Sequence, residues 1–449
     1  MNQDYDAAII GAGVVGCAIA RRLTLDGARV VVLEKGADIL DGASKANSAI
    51  LHTGFDAPEG SLELACVQEG YREYEALHAQ MNLPLDRCGA LVLAWTDEQE
   101  ARLPALIAQA QANAVTDVEL LSRDRVLTLE PNLNPALRAG FRVPRESLID
   151  PWSAPHGYLL QALLNGAELR RSCEVTGGSF DGSQWTLTTS QGPVSAGRVV
   201  NAAGNYGDLI DKMLLGRTDF RIRPRKGQFL VYDKTAAALA RHILLPVPTD
   251  KTKGIVVCRT IWGNLLVGPT AEDQDDRVTA SLEEATLRML EQKGAEILPA
   301  LAGEEITTIY AGLRPACEFK DYQIREHAEN MITVGAIRST GLSAALGIAA
   351  HVGRMIGATA PLASPAVPRM AMLAEERTRD WQLAGNEGML CHCERVTLRE
   401  AKAALTGPLA PHSFAGFKRR TRAAMGRCQG FYCGQAVQGL LDKAGADRG

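Results

Sequence analysis

The chain has 449 residues, 46% of them hydrophobic and 22% charged, which is the balance of a soluble globular protein too long for one ordinary core, so two or three domains are expected. A net charge of −4 argues against general affinity for nucleic acid. The longest apolar stretch, Ala7 to Ala20, is too short to span a bilayer, and Asp4 and Asp6 stand ahead of it where a secretory signal needs a basic region, so a cytoplasmic protein with no transmembrane segment is expected.

The first elements form a strand, a glycine turn, a helix and a second strand. Asp6 to Ile10 is a short apolar strand, Gly11-Ala-Gly13-Val-Val-Gly16 follows at once, Cys17 to Leu25 has helical spacing, and Arg29 to Glu34 is a strand with an acidic end. This is the dinucleotide-binding βαβ fingerprint in its required context. Gly11 permits the tight turn, Gly13 lets backbone approach a pyrophosphate, and Gly16 lets helix pack on strand. The helix N-terminus offers N–H groups to the phosphates, and Glu34 would accept hydrogen bonds from a ribose.

FAD and NAD share this fingerprint, and the choice between them rests on later segments. The stretch Gly42 to Gly54 (GASKANSAILHTG) is small and polar and ends in His52-Thr-Gly54. Here the sequence resembles the FAD-dependent oxidoreductases of the D-amino-acid oxidase and glycerol-3-phosphate dehydrogenase superfamily, whose serine- and asparagine-rich segment ending in His-x-Gly lies along the flavin. Three further segments are similar to that family in the same order: Arg198-Val-Val-Asn-Ala-Ala-Gly204, Gly312-Leu-Arg314-Pro, and Val334 to Ala345 with its glycine turn at Gly341. The resemblance covers about residues 5 to 355. It implies non-covalent FAD held by Gly11, Gly13, Gly16, Glu34, Ser44, Asn47, Ser48, Ala203, Gly204, Gly341 and Leu342.

The same resemblance implies an α/β fold. A Rossmann-like FAD-binding domain would be assembled from residues 1–85, 140–215 and 320–360. Inserted into it, residues 86–139 and 216–319 would form a mainly antiparallel α+β substrate domain. The residues agree with this reading: Arg221 to Tyr232 alternates into a strand after a basic turn, Leu265 to Thr270 is a strand and turn, and Leu282 to Ile297 has helical periodicity. The proline- and alanine-rich run within 360–372 reads as a linker, and 373–449 as a small, cysteine-rich helical domain.

Ten cysteines in a reducing compartment point to metal binding or catalysis. Cys17, Cys66, Cys88, Cys173, Cys258 and Cys317 are scattered in apolar surroundings and read as small buried hydrophobes. Cys391-His-Cys393 and Cys428-Gln-Gly-Phe-Tyr-Cys433 are two tight pairs, which can close an S₄ site for zinc or iron–sulfur. The run from Thr421 to Cys433 resembles the bacterioferritin-associated ferredoxin-like [2Fe–2S] domain, which implies a cluster on Cys391, Cys393, Cys428 and Cys433, with zinc as the alternative. The basic run Lys418 to Arg422 reads as a solvated face, or as charge that offsets a thiolate cluster or docks an acidic partner.

In chemical terms, a secondary alcohol or amine would be dehydrogenated on the flavin. His52 is the candidate proton acceptor, since imidazole titrates near working pH. Arg314 and Arg338 are candidates for a substrate carboxylate or phosphate, with Arg225 and Lys226 as weaker ones. The resemblance implies a small anionic 2-hydroxy substrate, glycerol 3-phosphate or an L-2-hydroxy acid such as L-2-hydroxyglutarate. Electrons would leave through the cluster to an acceptor protein or quinone-linked subunit, in a heteromer or peripheral at the inner face of the membrane. The rival readings are an amine or amino-acid dehydrogenase of the opine, proline or glycine type, and a zinc-bearing flavoprotein whose C-terminal module binds a partner.

Overall fold

The computed structural model describes residues 4–248, 254–357 and 360–445. Strand β1 (Tyr5–Ile10) runs into helix α1 (Val14–Leu25) and then strand β2 (Val30–Leu33), parallel to β1 with Ala7 opposite Val30 and Ile10 opposite Leu33. Both strands are buried on both sides, as parallel strands under helices must be. Strand Val194–Asn201 lies parallel on the other side of β1, and Met331–Gly335 lies parallel beyond it. These strands carry an eight-stranded sheet, completed by Glu168–Arg170 and by antiparallel hairpins at the edge.

A second, nine-stranded sheet is mainly antiparallel and forms the other layer. Its long member, Arg225–Tyr232, pairs along its whole length with Ile306–Arg314, so Arg225 stands opposite Arg314. Strand Ala139–Val143 also belongs here, paired with Ala90–Ala94 and Glu119–Ser122. The chain therefore leaves the substrate sheet only after Val143, slightly later than the sequence suggests. A buried, alternating strand at this point carries no mark of which sheet it will join.

A third sheet joins the two layers. Ile50–Leu51 and Leu85–Asp86 both pair with Ser147–Ile149, with Ile50 opposite Leu148 and Leu51 opposite Ser147. Running on from that register, His52 meets Glu146, although 94 residues separate them.

The stretch expected to be a linker is pinned along the first domain. Ala360 N–H donates to the Asp26 carbonyl, Leu362 N–H to Leu25, and Met370 N–H to Met81, while Asn82 donates back to the Met370 carbonyl. The chain then forms a two-stranded ribbon (Met389–Cys391 with Val396–Thr397) and three short helices, Leu398–Ala404, Phe414–Thr421 and Gly434–Lys443. The first helix begins in a reciprocal cap between Thr397 and Glu400. Leu390, Val396, Phe417, Val437 and Leu441 form the module's own small core, together with Cys391 and Cys433.

The basic run is not a solvated face. Arg420 makes two 2.8 Å bonds to the carboxylate of buried Asp38, Arg419 reaches the Ile39 carbonyl and Asp41, and Arg422 binds Glu394 at 2.8 Å. Arg422 also lies over the Trp262 ring, 4.0 Å from its centroid, and Trp262 stacks on Trp152 at 4.8 Å. These arginines serve the docking of the cysteine module onto the rest of the chain, a use that residue type alone does not reveal. Among the described residues no helix is long and apolar enough to cross a membrane.

Removing Arg420 would leave the buried Asp38 carboxylate only the longer contact to Arg171 at 3.9 Å, a loss on the order of 3–5 kcal/mol. Burial works to raise the Asp38 pKa, but Arg420 outweighs it and holds the carboxyl below the usual range. The stabilisation is therefore complete above the ordinary aspartate value, about pH 3.9, and fades as pH falls through the depressed one. Arg420→Ala should lower the thermal midpoint and speed proteolytic release of the cysteine module, read by gel and scanning calorimetry.

Candidate active site

The glycine turn has the geometry that a dinucleotide needs. Gly11 has φ of +103°, and a Cβ there would lie 2.7 Å from the Ala202 carbonyl oxygen; a Cβ on Gly16 would sit 1.9 Å from the Gly11 oxygen. Gly13 is the N-cap of α1 and lends it no side-chain acceptor. The hydroxyl of Ser44 accepts from Val14 N–H at 2.9 Å instead, which brings the small polar segment up to the start of that helix. Glu34 is held by the N–H groups of Ala12 and Gly36, both at 2.7 Å. Burial nevertheless pushes its carboxyl pKa up against the pull of those two donors.

The polar segment is shaped by Asn47, whose side chain donates to the Ser44 carbonyl and accepts from Ala49 N–H. The Ser48 carbonyl takes a weak contact from the Cys258 thiol, and Tyr310 hydroxyl donates to the Asn47 carbonyl at 2.8 Å. On the other flank, Ala203 N–H donates to Asn201, and Gly204 opens a single 3-10 turn at φ +55°. Gly341 and Leu342 begin helix Gly341–Ile356, whose first turn has no side-chain cap and so keeps N–H groups open to an electron-rich ligand. Ser343 from that turn accepts from His52 N–H at 2.8 Å and donates to the Ile50 carbonyl. Turn, acid, polar segment and uncapped helix together fit FAD.

His52 is anchored by a residue that sequence reasoning missed. Its Nδ1 lies 2.8 Å from a carboxylate oxygen of fully buried Glu146, whose other oxygen accepts from Thr53 N–H and hydroxyl. An anionic acceptor at that distance makes Nδ1 the protonated nitrogen, which leaves the Nε2 lone pair free. The only sequence signal was a glutamate bordering an apolar strand, and nothing local tied it to position 52.

The arginines separate into two kinds. Arg314 is half-buried and donates to the carbonyls of Thr270 at 2.6 Å and of Arg225 and Lys226 at 3.3 Å. Among the described residues no carboxylate lies within ion-pair distance of it; Asp273 is taken by Arg225 at 2.6 Å. Burial, then the neighbouring Arg225 charge, pulls the Arg314 pKa down to about 10, so it stays cationic at physiological pH with unspent capacity for an anion. Arg338 instead meets Glu63 at 2.9 Å, and Glu63 is bonded by Thr340 as well, although the Arg338 Nε has no partner. Lys226 is buried between Glu272 and Glu283. Arg338, Arg225 and Lys226 are thus already engaged within the protein, and Arg314 is the cation left for a ligand.

The four cysteines of the last module come together as two contacting pairs, Cys393 with Cys428 and Cys391 with Cys433. The backbone N–H groups of Tyr432, Gly430 and Phe431 face the Cys428 sulfur and, led by Tyr432, hold its pKa below the usual thiol value, while burial raises Cys393 and pushes Cys433 up to about 11. The connecting loop is costly: Arg422, Ala424 and Gln429 all have left-handed φ, between +48° and +68°. Such strain, roughly 1 kcal/mol or more per residue, gathers where a ligand is clamped. Among the described residues no group of three or more His, Cys, Asp or Glu side chains is placed to hold a metal ion.

Comparison with known proteins agrees with this geometry. Residues 6–355 match the family model of the FAD dependent oxidoreductases, DAO. The chain is 31% identical to a glycerol 3-phosphate dehydrogenase of Caloramator mitchellensis, over 97% of this chain and 94% of that protein. It is 28% identical to one component of the anaerobic glycerol-3-phosphate dehydrogenase of Escherichia coli K12, over 98% and 89% respectively. Among solved structures it resembles the FAD-bound L-alpha-glycerophosphate oxidase of Mycoplasma pneumoniae, with a TM-score of 0.74 and 27% identity over 80% of this chain and 97% of that one. With the glycine turn, the buried acid and the anchored histidine all in place, the chain belongs to the DAO family of FAD-dependent oxidoreductases and is related to the glycerol-3-phosphate dehydrogenases and oxidases.

Proposed function

We propose that this chain dehydrogenates glycerol 3-phosphate at its secondary alcohol and sends the electrons out through a cysteine-bound [2Fe–2S] cluster. The observation that carries the substrate reading is Arg314, a half-buried guanidinium with no carboxylate at ion-pair distance among the described residues, on a strand that runs against the flavin-side segment. A phosphate dianion supplies what that guanidinium lacks, through paired charged hydrogen bonds.

FAD, when bound, supplies a two-electron acceptor for the hydride. The chain's residues do the rest. Arg314 holds the phosphate and thereby orients the C2–H bond. His52 Nε2 takes the hydroxyl proton as that bond breaks and the ketone forms, and Glu146 stabilises the imidazolium through Nδ1. The names of the relatives in the previous section support the same substrate. L-2-hydroxyglutarate dehydrogenases match less of the chain, about 60%.

The cluster reading is supported by the contacts between Cys393 and Cys428 and between Cys391 and Cys433, which bring thiols of both sequence pairs together. It is supported as well by coverage. The match to the dehydrogenases takes in 97–98% of this chain, which includes the cysteine module, whereas the match to the Mycoplasma oxidases takes in 77–79%. Cys391, Cys393, Cys428 and Cys433 would hold it, and it would pass electrons on singly.

Three measurements test this. His52→Ala should slow anaerobic flavin bleaching by glycerol 3-phosphate by 10²- to 10⁴-fold with FAD retained, and Glu146→Gln by about 10- to 100-fold. Bleaching by proline or glycine in place of glycerol 3-phosphate would instead establish the amine reading. Arg314→Met should raise KM for glycerol 3-phosphate by roughly 10- to 100-fold, the worth of a charged hydrogen bond, without loss of FAD. Iron and acid-labile sulfide should be found in equal amounts and vanish in Cys428→Ser; zinc alone would refute the cluster.

A further inference from the structure

We propose that the Phe431–Tyr432 tip, with the basic-rimmed hollow beside it, is the docking face for an acidic electron-carrier protein, an inference that rests on the cysteine module being an electron exit. Phe431 is 84% and Tyr432 81% exposed, and their rings meet edge to face at 5.2 Å. Two adjacent aromatic rings this exposed form a contiguous apolar patch, and large aromatic side chains are enriched at the anchoring centres of interfaces. Both lie between Cys428 and Cys433, with their backbone N–H groups turned to the Cys428 sulfur. A partner seated on the rings is therefore within a residue of the thiol pairs. From Ala423 to Leu441 the only charged residue is Arg427, the depletion expected at the core of a protein interface.

Charge selects the kind of partner. A hollow of about 440 Å³ opens at Cys393 and is lined by His392, Arg395, Arg427 and Lys234 together with Asp233 and Glu394. The cations stand outward of the carboxylates that neutralise them: Arg427 is 68% exposed over Asp233 at 13%, and Arg395 39% over Glu375 at 23%. Glu394 is buried. The rim thus shows positive charge to solvent, which steers an acidic surface toward the cysteines. Each substrate oxidised releases two electrons, so two one-electron carriers, or one carrier of two, are reduced per turnover.

The test uses the holoprotein, reduced by dithionite so that the exit is examined even if glycerol 3-phosphate proves not to be the substrate. Reoxidation is followed with flavodoxin as an acidic protein acceptor, cytochrome c as a basic one, and dichlorophenolindophenol as a small dye. The expected result is a flavodoxin rate that falls with salt and drops at least tenfold in Phe431→Ser/Tyr432→Ser and in Arg427→Gln, with the dye rate unchanged. The proposal is overturned if these variants leave the flavodoxin rate as it was, or if cytochrome c is the faster acceptor at low salt. It is overturned equally if the serine variant instead abolishes binding to phosphatidylglycerol vesicles or splits a dimer in light scattering, with flavodoxin unaffected.

Discussion

The buried contact between Arg420 and Asp38 is the constraint on which the arrangement of this protein depends. Asp38 lies four residues beyond the acid that closes the nucleotide turn, and Arg420 sits on the helix that leads into the second cysteine pair. One charged pair therefore ties the end of the chain to the loop nearest the dinucleotide. A lone buried carboxylate is expensive, so the module cannot lift away cheaply. Arg419 and Arg422 reinforce the same seam, the first on the Ile39 carbonyl and the second on the Trp262 ring, with Glu394 of its own module holding the Arg422 guanidinium in place.

That seam gives the two ends of the chain a fixed relation. Trp152 hydrogen-bonds the Lys45 carbonyl in the flavin-side segment and stacks on Trp262, which lies under Arg422 from the cysteine module. Strand Ile306–Arg314 does the same work along another line: its Thr307 carbonyl and Thr308 hydroxyl meet Gln429, and its far end carries Arg314 to the Thr270 carbonyl. The end of that strand and the cysteine loop are thus joined through hydrogen-bonded elements and not through an extended tether.

Much of the nucleotide site was legible in the sequence because its chemistry is local. Gly11, Gly13, Gly16 and Glu34 lie within 24 residues, and their roles follow from a turn, a helix start and a strand end. The cysteines are near neighbours within each sequence pair, but the contacts that form, Cys393 with Cys428 and Cys391 with Cys433, cross between the pairs and depend on the fold of the module. Glu146 was not, since its meeting with His52 depends on the pairing of Ile50–Leu51 with Ser147–Ile149. The basic run was misread as a solvated face because Arg419 to Arg422 look like any exposed cluster until the loop at Asp38 is folded against them. Arg314 and Arg338 were indistinguishable as residue types; only their neighbours, carbonyls for one and Glu63 for the other, separate them.

The sequence by itself determined the family, the cofactor turn and the identity of the four cysteines, since each is written in short-range patterns of glycine, acid and thiol that backbone geometry can use in few ways. Tertiary structure alone decided which histidine tautomer is held, which arginine keeps its charge for a ligand, and that the cysteine module is locked to the dinucleotide loop. Those outcomes depend on strand register and on which charges are buried together, and both are settled by contacts between residues far apart in the chain.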